Sequence, residues 1–335
     1  MNWQQPLATY VLRNQLQWRE WHKWARALQT ERETLSPIPD MGSVTASVVQ
    51  FTVDPVTSPA LWRDRVTQAF RQAKAQGAQI IVFGEDIALP LLGVLADRIP
   101  GSANQNSLAS LAPWLRALAN PVYVYWHRTM QVLAKHFAIT TVAGSALKKT
   151  HSQLFNQSVI FDANGWVIAV QPKMHLLPLE HDLGLSPGAD LNPQSFAPWP
   201  LVTVVCNDAT YFETFRMAWH LGALLVAVPI ADSEPLYSEA KARRGTWARV
   251  QETPVAGLVG ASTGNLFGIK LTGKAAIYLP AALTKDDSGI LAESNSPEGE
   301  EVITATIDLA RLRKLQQEFA YQDLTAHWLN TLYSH

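Results

Sequence analysis

Cysteine is almost absent from this chain: one residue, Cys206, in 335. A single thiol forms no internal disulfide, so a disulfide scaffold is excluded and a reducing, cytoplasm-like compartment is expected. Charge is also scarce. Only 16% of residues are charged, the net charge is -1, and no basic block exists, so the electrostatic footprint of a nucleic-acid binder is missing. No apolar run approaches the roughly 20 residues of a membrane span. The start, Met1-Asn-Trp-Gln-Gln-Pro, lacks the basic-then-apolar pattern of a secretion signal. No internal repeat is visible.

What is present suits a well-buried globule, with 47% hydrophobic residues and length enough for one large core or two modest ones. Residues 1–40 read as a helical extension: Leu7, Val11, Trp18, Trp21, Ala25 and Leu28 recur at three- and four-residue spacing, and Ser36-Pro37-Ile38-Pro39 ends the pattern. This amphipathic stripe is expected to lie on the main domain or on a second subunit. Its mixed-charge polar face argues against membrane attachment. The main domain is expected over 41–310 and a helical tail over 311–335.

Within that domain the stretch Leu201-Val-Thr-Val-Val-Cys206-Asn-Asp208-Ala-Thr-Tyr-Phe212-Glu213 dominates the reading. A short β-branched run predicts a buried strand ending at the cysteine, followed by a helix from about Phe212 with Asp208 and Thr210 as candidate caps. Backbone N–H groups converging there would favour a thiolate and later hold an oxyanion. Ala78-Gln-Ile-Ile-Val-Phe83-Gly84-Glu85 is a second apolar strand, releasing a carboxylate at its end. Strands 155–161 and 166–170 flank Asp162-Ala-Asn164-Gly165, a hairpin turn, and lead into Pro172-Lys173-Met-His175-Leu-Leu-Pro178-Leu-Glu180. A Glu, a Lys and a Cys, each just past a buried strand, can meet at one rim of a sheet, where layered α/β folds place their sites.

Further strands are expected over 43–53, 138–144, 223–228, 255–261, 274–279, 289–293 and 301–307. Helices are expected over a stripe containing Trp62, Val66, Phe70 and Ala73, and over 105–117, 122–136, 212–221, 238–251 and from Leu309. Crossovers mixed with hairpins predict an α/β fold with two packed sheets.

These motifs together resemble the nitrilase (carbon–nitrogen hydrolase) superfamily over roughly residues 43 to 310. Glu85, Lys173 in Lys-Met-His-Leu, Glu180 in Pro-Leu-Glu and Cys206 in Cys-Asn-Asp match its Glu–Lys–Cys order. Phe212-Glu213, Arg216, the Arg249 to Glu252 segment, Gly264 and Gly273 match its later positions. The later motifs look most like a little-characterised branch, some of whose members carry an acetyltransferase-like domain upstream; about 40 residues are too few for one here.

The resemblance implies a four-layer α-β-β-α sandwich, a homodimer and no metal or organic cofactor. In residue terms, Glu85 is the expected general base and acid, Cys206 the nucleophile, and Lys173 with the Asn207 backbone N–H the oxyanion holders. Glu180 sits where the family has an orienting carboxylate. The expected reaction is hydrolysis of a non-peptide amide through a thioester, releasing ammonia or an amine. Acyl transfer to an amine and a catalytically silent scaffold are the alternatives.

Asn207-Asp208 after the nucleophile favours amides over nitriles. Where carbamoyl-amino-acid hydrolases have two arginines this chain has Ala209 and Thr210, which cannot supply charge-assisted bonds to a carboxylate, so an uncharged or weakly cationic linear amide is the expected substrate. Tyr211, Phe212, Ile230 and Asp232, with Trp126-His127, are the expected pocket wall. His175 reads as packing beside the site, His175 and His181 do not make a usual metal pattern, and Arg249–Glu252 reads as a supporting salt bridge.

Overall fold

The computed structural model describes residues 4–30, 41–98, 112–191 and 199–319. In place of the single N-terminal helix, two form: α1 (Gln4–Gln15) and α2 (Trp18–Thr30). Gln17 sits between them at φ 50, a left-handed conformation that ends a right-handed helix. The proline-rich stop at 36–39 lies outside the described residues. Next come β1 (Ser43–Thr52), α3 (Pro59–Ala75), β2 (Ile80–Val82), a 3-10 segment over Leu89–Arg98 and α4 (Ala112–Phe137). Two strand hairpins follow as β3 (Thr140–Thr150), β4 (Gln153–Phe161) and β5 (Val167–Pro172), then the short α5 (Pro178–Asp182). The second half runs β6 (Leu201–Thr203), α6 (Phe212–His220), β7 (Leu225–Ala231), α7 (Glu239–Ala242), α8 (Ala248–Glu252) and β8 (Ala256–Leu266). It closes with β9 (Ile269–Leu271), β10 (Ala276–Tyr278), β11 (Ile290–Glu293), β12 (Glu301–Asp308) and α9 (Leu309–Glu318).

Two helix expectations change. The segments 105–117 and 122–136 are one helix from Ala112, with Pro121 inside it; 105–111 lie outside the described residues. Buried Leu118, Val122, Tyr125, Trp126 and Met130 on one side of α4 hold that helix together through the proline. Conversely, the helix expected over 238–251 is broken. A five-residue π turn, Arg243–Trp247, separates α7 from α8, and Gly245 in it has non-helical angles (φ -83, ψ -122). The short α5 and β9 carry too few residues for periodicity to reveal them.

β1 is the hinge of the sheet. It pairs parallel with β2 on one side (Ala46↔Ile80) and antiparallel with β12 on the other (Ser43↔Asp308). Its last residues, Gln50–Thr52, pair with Ala261–Thr263 of β8. Two arms result, β12-β1-β2-β3-β4-β5 and β6-β7-β8-β10-β11.

Alternation of side chains along the strands explains the layering. Val44, Ala46 and Val48 of β1 pack with Ile80, Val142 and Ile160, and against Leu201, Leu225, Leu258 and Ile277 of the other arm. The neighbouring positions Val49, Phe51 and Phe83 face α3 and α4, where Trp62, Phe70 and Phe137 meet them. On the far side Val202, Val226 and Val259 face Phe215 of α6 and Val250 of α8. Three apolar interfaces thus separate four layers, α-β-β-α.

The N-terminal stripe is buried against its own chain: Leu12, Leu16, Trp21, Ala25 and Leu28 belong to the α3–α4 core. Trp21 Nε1 donates to Thr129 Oγ1 of α4 at 2.9 Å, and His136 Nδ1 donates to Leu28 O at 2.8 Å.

Candidate active site

Glu85 emerges three residues past β2, where the backbone is packed too closely for any side chain before it. A Cβ on Gly84 would lie 2.5 Å from Ser262 Oγ, and one on Gly144 (φ +75) would lie 2.1 Å from Gly84 O. Ser262 Oγ donates to Glu85 O, and Glu85 N donates to Ile230 O at 3.2 Å, tying the end of β2 to β7 and β8. The side chain is therefore fixed from its own backbone outward. Its carboxylate is 3% exposed and accepts from Asn156 Nδ2 at 2.8 Å and Lys173 Nζ at 2.9 Å. Burial raises the Glu85 pKa, Lys173 pulls it back, and the Glu180 charge pushes it up again; the net shift is upward.

Lys173 follows directly on β5. Its N–H donates to Asn156 O and its carbonyl accepts from Gly188 N, both at 2.8 Å. The side chain is 1% exposed, and Nζ also reaches Glu180 at 2.9 Å. Glu180 in turn accepts the Leu177 N–H at 2.7 Å across the first turn of α5, which holds its carboxylate toward the lysine. Burial alone would lower the Lys173 pKa, but negative charge on Cys206, Glu85 and Glu180 outweighs it and holds the ammonium above its ordinary value.

Cys206 opens a 3-10 turn, Cys206–Thr210, with φ 49. The positive φ turns the chain sharply, so the cysteine leads into this turn and not directly into α6. Asp208 and Thr210 are not caps of α6, whose N-cap is Tyr211 without a side-chain bond. Asp208 instead anchors the site: its fully buried carboxylate accepts Val205 N at 3.1 Å, Met174 N at 3.1 Å and His175 N at 2.7 Å. Thr210 Oγ1 donates back to Asn207 O at 2.8 Å. Asn207 Nδ2 donates to His175 O at 3.1 Å, a second bridge between the Lys173 and Cys206 segments.

The half-buried thiol lies beside the Glu85 carboxylate and the Ala231 backbone. Burial first, then the Glu85 charge, push the thiol well above its usual value, against the pull of Lys173. Of the expected helpers of a thiolate, Lys173 and the Ala231 backbone do favour it here, while burial and the Glu85 charge oppose them.

A cavity of about 310 Å³ opens beside Cys206, with Asn207, Ile230 and Asp232 in its wall. Tyr211 and Phe212 are not in that wall. Beyond the 3-10 turn they point outward, and Tyr211 stacks on His175 with ring centres 4.1 Å apart. Trp126 is fully buried and donates to Ala143 O, while His127 packs edge-on against Phe161 at 4.9 Å; neither reaches the cavity. Arg249 and Glu252 pair at 3.1 Å on α8, and His181 is exposed.

Several site residues went unassigned from sequence. Asn156, 1% exposed, bonds Glu85 and approaches Glu180, and nothing sets it apart in sequence from its polar neighbours Gln153, Gln157 and Ser158 on the same strand. Asp86 adds a second carboxyl, raised well above the ordinary range by burial and by Glu85 and Glu180. Tyr237, Lys241, Arg244, Thr272 and Lys274 complete the wall from α7, the turn that follows it and the segment after β9.

A carboxyl, an ammonium and a thiol at one rim of a four-layer sandwich define the class, a hydrolase of carbon–nitrogen bonds. The family model described as Carbon-nitrogen hydrolase matches residues 14–317, and the chain belongs to that family, within the nitrilase superfamily. No curated protein matches.

Among solved structures, the chain is similar to a mutant of the amidase from Nesterenkonia sp. AN1. That mutant shows covalent addition of the acetamide moiety of fluoroacetamide at its active-site cysteine. The TM-score is 0.66 and the identity 20%, covering 89% of this chain and 100% of that one. Two further mutants of the same amidase, a double mutant in complex with acrylamide and a single mutant in complex with butyramide, match with TM-score 0.64. Their identities are 18% and 20%, each covering 84% of this chain and 98% of the other. At these identities the likeness shows the fold.

Proposed function

We propose that the protein is an amidase: it hydrolyses linear, non-peptide amides through a thioester on Cys206, releasing ammonia or an amine. As the sulfur attacks the carbonyl carbon, the neighbouring Glu85 takes the thiol proton. Charge then develops on the carbonyl oxygen, where the Lys173 ammonium and the Asn207 backbone N–H receive it. Each such donor is worth roughly 100- to 1,000-fold in rate. Glu85 returns the proton to the departing nitrogen, the C–N bond breaks, and the acyl group stays on sulfur. Water, deprotonated by Glu85, then attacks the thioester, and the thiol leaves with the acid as product. Glu180 keeps Lys173 charged and aimed.

The observation that carries this reading is the shared set of neighbours: Lys173 Nζ lies 2.9 Å from both Glu85 and Glu180, and Cys206 lines the cavity near enough for the charges of Glu85 and Lys173 to act on its thiol. A volume of about 310 Å³ suits a small molecule and not a folded peptide chain. Ile230 offers such a molecule an apolar wall. The acrylamide and butyramide held by the Nesterenkonia mutants support short aliphatic amides as the first candidates.

Ammonia release from a panel of C2–C5 amides tests the reading. Turnover that disappears in Cys206→Ala and falls about 100-fold or more in Glu85→Gln is expected. Formation of hydroxamate when hydroxylamine is added would trap the acyl group, and hydroxamate without free acid would mark a transferase instead.

A further inference from the structure

The cavity beside Cys206 is lined by five ionised side chains: Asp232, Glu234, Lys241, Arg244 and Lys274. Four of them are already paired. Lys241 Nζ lies 2.9 Å from Asp232 and also bonds Glu234. Lys274 Nζ lies 3.2 Å from Glu239 and 3.1 Å from Glu293, just behind the wall. Arg244 differs. It is exposed in the wall and, among the described residues, has neither a hydrogen bond nor an ion-pair partner.

The local backbone accounts for its position. At the non-helical Gly245 the chain leaves the line of α7, and nothing lies within 4 Å of where a Cβ would stand. Arg243, on the helical side of the break, turns to Glu239 at 3.8 Å, while Arg244 borders the cavity. The residues of the thiol-bearing turn that line the cavity beyond Cys206, Asn207, Ala209 and Thr210, are neutral, and Asp208 of that turn is fully buried on backbone N–H groups and does not line it.

From this juxtaposition we infer that Arg244 selects amides carrying an anionic group, a carboxylate, at the end remote from the reacting carbonyl. The inference rests on the amidase reading above and names its substrate class. A guanidinium presents a planar fork of donors that fits a carboxylate with two parallel bonds. A neutral substrate leaves that fork to water. A cationic substrate meets it as a like charge, and finds Asp232 and Glu234 already sharing Lys241. Exposure to solvent screens the pair, so the gain expected is modest, about fivefold.

Three near-isosteric probes decide it: glutaramate, pentanamide and 5-aminopentanamide, which end in a carboxylate, a methyl and an ammonium. Calorimetric titration into the Cys206→Ala protein measures binding without turnover, so the result does not depend on hydrolysis. Glutaramate binding most tightly and 5-aminopentanamide most weakly is expected. The glutaramate-to-pentanamide affinity ratio should fall about fivefold when Arg244→Gln is added, and Arg244→Lys should restore part of it. Three outcomes overturn the inference: a ratio that moves less than twofold in Arg244→Gln, tightest binding by the ammonium probe, or no glutaramate binding. Glutaramate binding that depends on Arg244, with no ammonia released by the intact enzyme, would leave this inference standing and sink the amidase reading. Hydrolysis of neutral amides with no Arg244 effect would do the reverse.

Discussion

Asp208 and His175 are joined twice: the carboxylate accepts the His175 backbone N–H at 2.7 Å and its ring Nδ1–H at 2.9 Å. The same carboxylate takes the N–H groups of Met174 and Val205. Asp208 therefore locks the residue after Lys173 to the residue before Cys206, so the ammonium and the thiol are held in register by one buried side chain.

Asp208→Ala strands these buried donors. The expected loss of stability is about 3 kcal/mol, seen as a lower denaturant midpoint, because unpaired buried N–H groups each cost roughly 1–3 kcal/mol. Asp208→Asn keeps an acceptor oxygen and should recover about half of that loss. Iodoacetamide labelling of Cys206 should remain slow in both variants compared with the wild type.

Lys173→Met replaces the ammonium by a neutral chain of similar length and leaves Glu85 and Glu180 facing each other. Breaking a buried pair in this way costs about 3–5 kcal/mol. The loss depends on pH with a definite sign. Without the cation the folded carboxyls take up protons more readily than the unfolded ones, which favours the folded state at low pH. Chemical unfolding should thus show the largest deficit at neutral pH and a smaller one near pH 4–5.

The upward shift of Glu85 has two consequences of opposite kind. Proton acceptance from the thiol requires ionised Glu85, so kcat/KM should fall as pH drops through a midpoint above the ordinary carboxylate range. A carboxyl with a raised folded pKa contributes stability below its unfolded pKa, and that contribution is lost as pH rises through the folded value. Glu85→Gln cannot ionise, so it should gain stability relative to the wild type over that rise while losing activity throughout. A pH series of unfolding midpoints for both proteins checks the crossing trends.

At the N-terminus, Trp21 is 6% exposed and its indole N–H is bonded to Thr129 within the α4 core. Trp21→Ala should cost about 3–5 kcal/mol. A protein beginning at Met41 would uncover α4 and should aggregate or melt early in light scattering and thermal scans. Unchanged melting would show that α1 and α2 add nothing to this fold.

Some of this arrangement could be read from residue order. Glu85 and Cys206 stand out because each ends a short apolar run, and a strand that stops at a polar residue announces a sheet rim. Lys173 is read in the same way, just past the second strand of a hairpin, whereas Glu180 rests on the resemblance. Tyr211 and Phe212 were misplaced for a geometric reason: the positive φ at Cys206 and the 3-10 turn behind it reverse which side chains face inward, and neither is visible in a string of residues. Asn156 is one of four polar residues on β4, with Gln153, Gln157 and Ser158, and residue order does not show which of them turns to the site. Arg244 was invisible because its position depends on the break at Gly245 in a segment that reads as continuous helix.

The joint action of Glu85, Lys173 and Cys206 on one amide carbon is tested most directly by intact-mass spectrometry of the enzyme quenched during turnover of a short amide. The expected result is one adduct on Cys206, heavier by the acyl group less one hydrogen, discharged by hydroxylamine and absent from Lys173→Met. Ammonia released at the wild-type rate by Cys206→Ala, with no adduct at any time point, would contradict it.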